Sequence, residues 1–271
     1  MNIERTRIIL EDLERTLLQF MRKHGITHDE YRCATDILVD SVKAGEETLL
    51  YDVFLEAEAT DNANIDRRSS IEAIEGPFYL PNSPLLKAPY VLPQRCDEAG
   101  DVLFFRGIVA SPDGMPLAAA EIDMWQADAE GRYSNFHPGV PEWNLRGRFR
   151  TDHDGAFEVR TIVPPPYEIP KNGPTGVVLK TLGRHFFRPA HLHLKVRHPR
   201  YKELTSQLYF DGGAYLDSDV ANAVREDLVV QLVRRDAPRD QSVRGLHKSV
   251  FEVRYFFVLE PRPATHIRHR V

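Results

Sequence analysis

The sequence predicts a mixed, mainly β protein in which a small helical layer precedes a larger antiparallel β-sandwich or barrel. Three observations predict it. Apolar residues recur at helical spacing from Glu4 to about Glu58, prolines at 77, 81, 84, 89 and 93 punctuate the stretch from Asp61 to Gly100, and beyond that come short β-rich runs separated by turn formers.

In the first helix Leu10, Leu13, Leu17 and Phe20 recur at spacings of three and four, and Lys23-His24-Gly25 supplies a stop. Thr27 and Glu30 then stand at capping-box spacing before Tyr31, Ala34, Ile37, Leu38 and Val42, with Gly45 closing the second helix. Leu49, Leu50, Val53 and Phe54 begin a third. So thin a layer has too little core of its own, so its apolar stripe must be covered by the rest of the chain or by a second copy. A homodimer through these helices is the expectation. Residues 1–60 are therefore assigned to a helical dimerisation domain, 61–100 to a connector and 101–271 to the β domain.

The predicted strands run Val102 to Ala110, Ala119 to Trp125, Gly155 to Val163, His191 to Val196, Thr205 to Phe210 and Phe251 to Leu259. Turn formers such as Pro112-Asp113-Gly114 and Asp152-His153-Asp154-Gly155 separate several of them. Val220 to Val233 reads as one interrupting helical stretch.

With 271 residues, 42% hydrophobic and 28% charged, the chain has the composition of a compact globular protein. Lys plus Arg is 35 and Asp plus Glu is 40, a net charge of −5, which argues against a sequence-independent grip on nucleic acid. Two cysteines, Cys33 and Cys96, make neither a disulfide framework nor a thiolate metal site. The first residues, MNIERTRIILEDLER, are too charged for a signal peptide, and no apolar run approaches the roughly 20 residues of a membrane helix. A cytoplasmic protein acting on small molecules is expected, with no nucleic acid or membrane partner.

The most informative segment is Arg188-Pro189-Ala190-His191-Leu192-His193-Leu194-Lys195-Val196. On a strand, residues two apart share a face, so His191 and His193 point together while Leu192 and Leu194 face the opposite, packed side. Two imidazoles aimed at one point are a ligand geometry, although the pair alone equally describes a solvated strand face. Among the other nine of eleven histidines, His185 and His198 are off the strand register and His266 and His269 belong to a basic tail, so no three-histidine zinc site emerges. No Gly-x-Ser-x-Gly elbow supports a triad hydrolase.

Two tyrosines stand in rigid contexts. Tyr133 follows Asp128-Ala129-Glu130-Gly131-Arg132, and Tyr167 follows Pro164-Pro165-Pro166, whose fixed φ angles hold the next side chain at low entropic cost. A free phenol is a poor ligand at neutral pH, but a hard trivalent cation displaces its proton as a metal does that of bound water. Two phenolates and two imidazoles suit ferric iron better than zinc.

The ordered set Glu75-Gly76-Pro77-Phe78-Tyr79, Ile122-Asp123-Met124-Trp125-Gln126-Ala127-Asp128, Gly131-Arg132-Tyr133-Ser134, Val163-Pro164-Pro165-Pro166-Tyr167-Glu168-Ile169-Pro170, Gly173-Pro174-Thr175-Gly176 and Arg188-Pro189-Ala190-His191-Leu192-His193 resembles the intradiol ring-cleavage dioxygenases, and within them the catechol and chlorocatechol 1,2-dioxygenase group. The resemblance covers nearly the whole chain and implies a β-sandwich behind the helical domain. It implies non-haem Fe(III) held by Tyr133, Tyr167, His191 and His193, with Tyr167 the phenolate released when the substrate binds. It further implies that Arg188 stabilises negative charge on the substrate ring and that Gln207 orients groups near the iron. The reaction implied is ring opening of a catechol by O2 to a cis,cis-muconate. Pro77, Phe78 and Tyr79, with Leu55 and Ala59 from the third helix, are expected to wall the ring pocket. A homodimer is implied, in some members with an amphiphile in the interface. The rival readings are hydroxyquinol 1,2-dioxygenase, to which Trp125-Gln126-Ala127-Asp128 also points, a non-catalytic β-sandwich binding module, and a zinc hydrolase.

Overall fold

The computed structural model describes residues 2–46, 48–235 and 250–262. Two long helices come first, α1 (Ile3–His24) and α2 (His28–Lys43). Gly25 closes α1 at φ 61°, the left-handed conformation that glycine adopts without strain. The predicted capping box opens α2: Thr27 Oγ1 accepts from the Glu30 amide at 3.3 Å, and Glu30 Oε2 accepts from the Thr27 amide at 2.8 Å. A third helical segment follows as α3 (Leu49–Tyr51), a π-helical turn over Asp52–Glu56, and α4 (Ala57–Asn64). Its inner positions Leu49, Val53 and Ala57 are buried.

The β domain is two packed five-stranded sheets. The first, in the order β1-β5-β2-β12-β11, comprises β1 (Tyr90–Val91), β2 (Val102–Ala110), β5 (Ala156–Ile162), β11 (Val233–Arg235) and β12 (Val250–Val258). The second, β10-β9-β8-β3-β4, comprises β3 (Glu121–Trp125), β4 (Arg146–Arg150), β8 (His191–Arg197), β9 (Leu204–Phe210) and β10 (Val229–Val230). A separate ribbon pairs β6 (Tyr167–Glu168) with β7 (Phe187–Arg188), and α5 (Pro174–Thr181) lies between them in sequence. The sheets are not purely antiparallel: β12 runs parallel to β2, as β1 does to β5 and β10 to β9. The core between the sheets takes Phe105, Val109 and Val159 from one and Ile122, Leu192, Leu194 and Val196 from the other.

All six predicted strands are present, with boundaries within about two residues. The helix expected over Val220 to Val233 is not. That stretch holds a turn with Asn222 at φ 48°, a 3₁₀ turn over Glu226–Leu228 and the strands β10 and β11. The amides of Ala221 and Ala223 are captured by the Asp219 carboxylate, which diverts the backbone from helical bonding, and the β-branched Val229, Val230 and Val233 then enter sheets.

The helical layer is tied to the β domain by Glu46, whose carboxylate accepts the Thr175 amide in the first turn of α5 at 3.0 Å. A Cβ at Gly173 would lie 1.9 Å from Glu46 Oε1, so a side chain there would have to displace this carboxylate. In contrast, α1 buries none of its residues, and Leu10, Leu13, Leu17 and Phe20 are exposed. Among the described residues no helix is long and apolar enough to cross a membrane.

Candidate metal centre

Strand β8 is buried on both faces, and the alternation divides it as expected. Leu192, Leu194 and Val196 enter the core, while His191 and His193 face outward into a second apolar cluster built from Leu49, Val53, Phe78, Trp125, Tyr133, Tyr167 and Val220. Sheet register decides the neighbours of the histidines: His191 pairs across to Tyr209, His193 to Gln207 on one side and to Trp125 on the other. The Trp125 indole stacks on the His193 ring at 4.7 Å and 10°.

Tyr133 reaches this place from a loop and Tyr167 from the β6–β7 ribbon. Tyr133 follows β3, where its amide donates to His137 Nδ1 at 3.0 Å and its ring stacks on Phe78 at 4.4 Å. Buried Arg146 straps this region by donating to Ser134 Oγ at 2.8 Å and to the Phe78 carbonyl at 2.7 Å. Tyr167 opens β6 directly opposite Arg188 in β7. The ring centres lie 5.2 Å apart for Tyr133 and Tyr167, 6.0 Å for Tyr133 and His193, and 5.5 Å for Tyr167 and His191.

The polar atoms at this centre are the test of a metal. Nε2 of His191 and Nε2 of His193 face each other at 2.8 Å, while His191 Nδ1 lies 2.7 Å from the Pro189 carbonyl and donates to it, which leaves a lone pair on Nε2. The hydroxyls of Tyr133 and Tyr167 are fully buried and face each other, and neither makes a hydrogen bond of good geometry. Buried polar groups are well paired in most proteins, so two such phenols beside two converging imidazoles fit a cation held by all four. Burial, reinforced by Arg188, brings His191 down to about 3, and burial together with His191 and Arg188 holds His193 well below its ordinary value, so both rings are neutral donors. Burial and then the neighbouring Tyr167 push the Tyr133 phenol well up; burial also raises Tyr167, against the opposing pull of Arg188. Neither phenol ionises unaided at neutral pH, so phenolate ligation needs a strongly polarising cation. The His/Cys/Asp/Glu grouping with ligand spacing among the described residues, Asp152, His153 and Asp154, is an exposed turn away from this centre.

Arg188 is 3% exposed, with NH1 3.4 Å from His191 Nε2. Its NH2 donates to Gln207 Oε1 at 2.9 Å and Tyr209 Oη at 2.8 Å, and Gln207 Nε2 donates to the Ile74 carbonyl at 2.8 Å. Gln207 is thus held between Arg188 and the Ile74 carbonyl. Asp219, absent from that reading, pairs with two nitrogens of Arg188. Burial alone would raise this carboxyl, but Arg188 and the Ala223 and Ala221 amides hold it below its ordinary value. Only its aspartate-led turn, 31 residues from Arg188, hinted at it in sequence.

The expected wall residues divide. Phe78 is buried against Tyr133. Tyr79 lies behind Trp125 at 5.0 Å and bonds Asp123 and Arg197, and Pro77 is exposed. Leu55 and Ala59 are corrected: both are exposed, because Val53 and Ala57 occupy the inner face and residues two positions on lie across the helix. His266 and His269 lie outside the described residues.

Comparison with known proteins agrees with this architecture. The family model described as Dioxygenase matches residues 74–261. A chlorocatechol 1,2-dioxygenase of Rhodococcus opacus is 39% identical over 237 residues, covering 85% of this chain and 92% of that protein. The crystal structure of 3-chlorocatechol 1,2-dioxygenase from Rhodococcus opacus 1CP superimposes with a TM-score of 0.88 at 41% identity, over 96% of this chain and 99% of that one. That of hydroxyquinol 1,2-dioxygenase from Pseudomonas putida DLL-E4 does so with a TM-score of 0.86 at 30% identity, over 97% and 94%. The chain belongs to the intradiol ring-cleavage dioxygenase family. Within it, this is an oxidoreductase of the catechol 1,2-dioxygenase kind.

Proposed function

We propose that the protein opens catechol or substituted catechols between the two hydroxyl-bearing carbons, with both atoms of O2 entering a cis,cis-muconate. The carrying observation is the convergence of two buried phenols, neither with a well-formed hydrogen bond, on two neutral imidazoles. Tyr133, Tyr167, His191 and His193 would hold non-haem Fe(III), which supplies a Lewis acid that chelates a vicinal diol and draws electron density from its ring toward O2.

The protein's own groups do the rest. Tyr167 Oη would accept one of the two protons the diol loses; burial, the larger influence, favours that protonated phenol, while the Arg188 cation favours the ionised form held before substrate arrives. Arg188, with NH1 turned toward His191, stabilises negative charge developing on the ring. Gln207, fixed between Arg188 and the Ile74 carbonyl, orients the arginine and the reacting oxygens. Val53, Phe78 and Val220 keep water from the apolar face of the ring. The aromatic diol and O2 are the partners, and the exposed stripe of α1 supports a homodimer, with an amphiphile among the groups able to share that apolar interface. A cytoplasmic location follows from this reading of a degradative enzyme.

Hydroxyquinol is the second substrate reading, favoured by the similarity to hydroxyquinol 1,2-dioxygenase. The purified protein loaded with ferric iron is expected to be reddish through phenolate-to-iron charge transfer and to show its greatest kcat/KM on catechol or a chlorocatechol. A colourless protein that takes up no iron would overturn the reading in favour of the binding-module or zinc alternatives, and a preference for hydroxyquinol would move the substrate.

A further inference from the structure

We propose that Asp219 is a positioning residue for the reaction, clamping one edge of Arg188 so that NH1 is presented to the substrate; the role rests on the dioxygenase reading. Asp219 Oδ1 accepts from Arg188 Nε at 3.1 Å and Oδ2 accepts from Arg188 NH2 at 3.1 Å, a side-on pairing that fixes the guanidinium plane. NH2 is committed further to Gln207 and Tyr209, so NH1 is the nitrogen left facing His191. A lone Gln207 or Tyr209 contact would allow the long arginine side chain to rotate about its bond; two parallel charge-assisted bonds do not.

The carboxylate is itself held. Oδ1 also accepts the Ala221 amide at 3.2 Å and Oδ2 the Ala223 amide at 3.1 Å, and the Val220 amide donates to the Phe187 carbonyl, next to Arg188, at 3.1 Å. Val220 joins the cluster around Tyr133 and Tyr167, while Ala221 and Ala223 pack with Ala57 and Ile74. One carboxylate therefore bonds both the arginine and the backbone of the turn that carries Val220. Asp219 and Arg188 are almost wholly buried, with side chains 1% and 3% exposed, so removal of either leaves a charge unpaired in a low-dielectric site.

The test is a double-mutant cycle on the iron-loaded enzyme with Asp219→Asn, Arg188→Leu and the pair. Asp219→Asn is expected to lower kcat on catechol by roughly 10- to 100-fold with KM moved far less, and with iron content retained. Adding Asp219→Asn to Arg188→Leu is expected to cost no further turnover, because the guanidinium is gone and the loop keeps its Val220 amide bond to the Phe187 carbonyl. A further loss in the double variant, or wild-type kcat in Asp219→Asn, overturns the proposal. If Asp219→Asn fails to fold, the comparison of the double variant with Arg188→Leu still decides, since the unpaired cation is gone from both. In the metal-free protein the double variant should melt above Asp219→Asn; strictly additive losses would count against the clamp. A wild-type protein that cleaves neither catechols nor hydroxyquinol would instead refute the dioxygenase reading and leave the melting data standing.

Discussion

Gly131 lies against Tyr167 across the two segments that carry the phenols: a Cβ added at 131 would sit 3.0 Å from the Tyr167 Cβ, on a backbone held at φ +79°. The position that admits Tyr133 two residues later thus also sets where Tyr167 stands. Replacing Gly131 by Ala introduces left-handed strain of about 1–2 kcal/mol and pushes the Tyr167 ring outward. Iron affinity is expected to fall more than stability does. Titration of the visible band together with the melting temperature checks it, and an unchanged band at equal iron would contradict it.

The phenol hydroxyls have different effects in the two states of the protein. Tyr167→Phe is expected to lower turnover and alter the visible spectrum with the fold intact, and Tyr133→Phe to lose the colour in like manner. In the metal-free protein, however, each change removes a buried hydroxyl that makes no well-formed hydrogen bond, so neither variant is expected to melt far below the parent. Paired melting curves with and without iron give the difference directly.

Acid should destabilise the metal-free protein through its histidines. His191 is brought from an ordinary value of 6.5 to about 3, so between those pH values the unfolded chain binds a proton that the folded chain does not. Stability is therefore full above 6.5 and is lost as pH falls through the window toward 3. Melting temperature against pH is the measurement, and His191→Asn should flatten the slope.

The α1 stripe of Leu10, Leu13, Leu17 and Phe20 is exposed in one chain. Sedimentation is expected to show a dimer at micromolar concentration, and Leu13→Asp with Leu17→Asp is expected to give a monomer. Because Glu46 at the far end of α2 secures the layer to α5, iron uptake by that monomer should persist. A parent that sediments as a monomer would exclude the helical interface.

The parts legible in the sequence are those written in local periodicity. His191 and His193 share a face because a strand alternates, and the capping box at Thr27 and Glu30 is satisfied within one turn. Tyr133 and Tyr167 carry no such signal; their segments converge through contacts made across the chain, and only their motif context pointed to them. Asp219 was hidden for the same reason, since its partner lies on another element and the turn it organises resembles a helix in composition. The placement of Leu55 and Ala59 failed because inner and outer faces of a segment interrupted by a π turn are decided by packing against Ile74, Ala221 and Phe78, which lie far from it in sequence.

The parallel stack of Trp125 on His193 gives the protein an optical reporter of its own. With only two tryptophans in the chain, an indole seated on a donor imidazole dominates any change in ultraviolet emission when that ring gains a positively charged neighbour. Occupancy of the pocket can then be followed in real time without a dye, from the dimming of a single fluorophore.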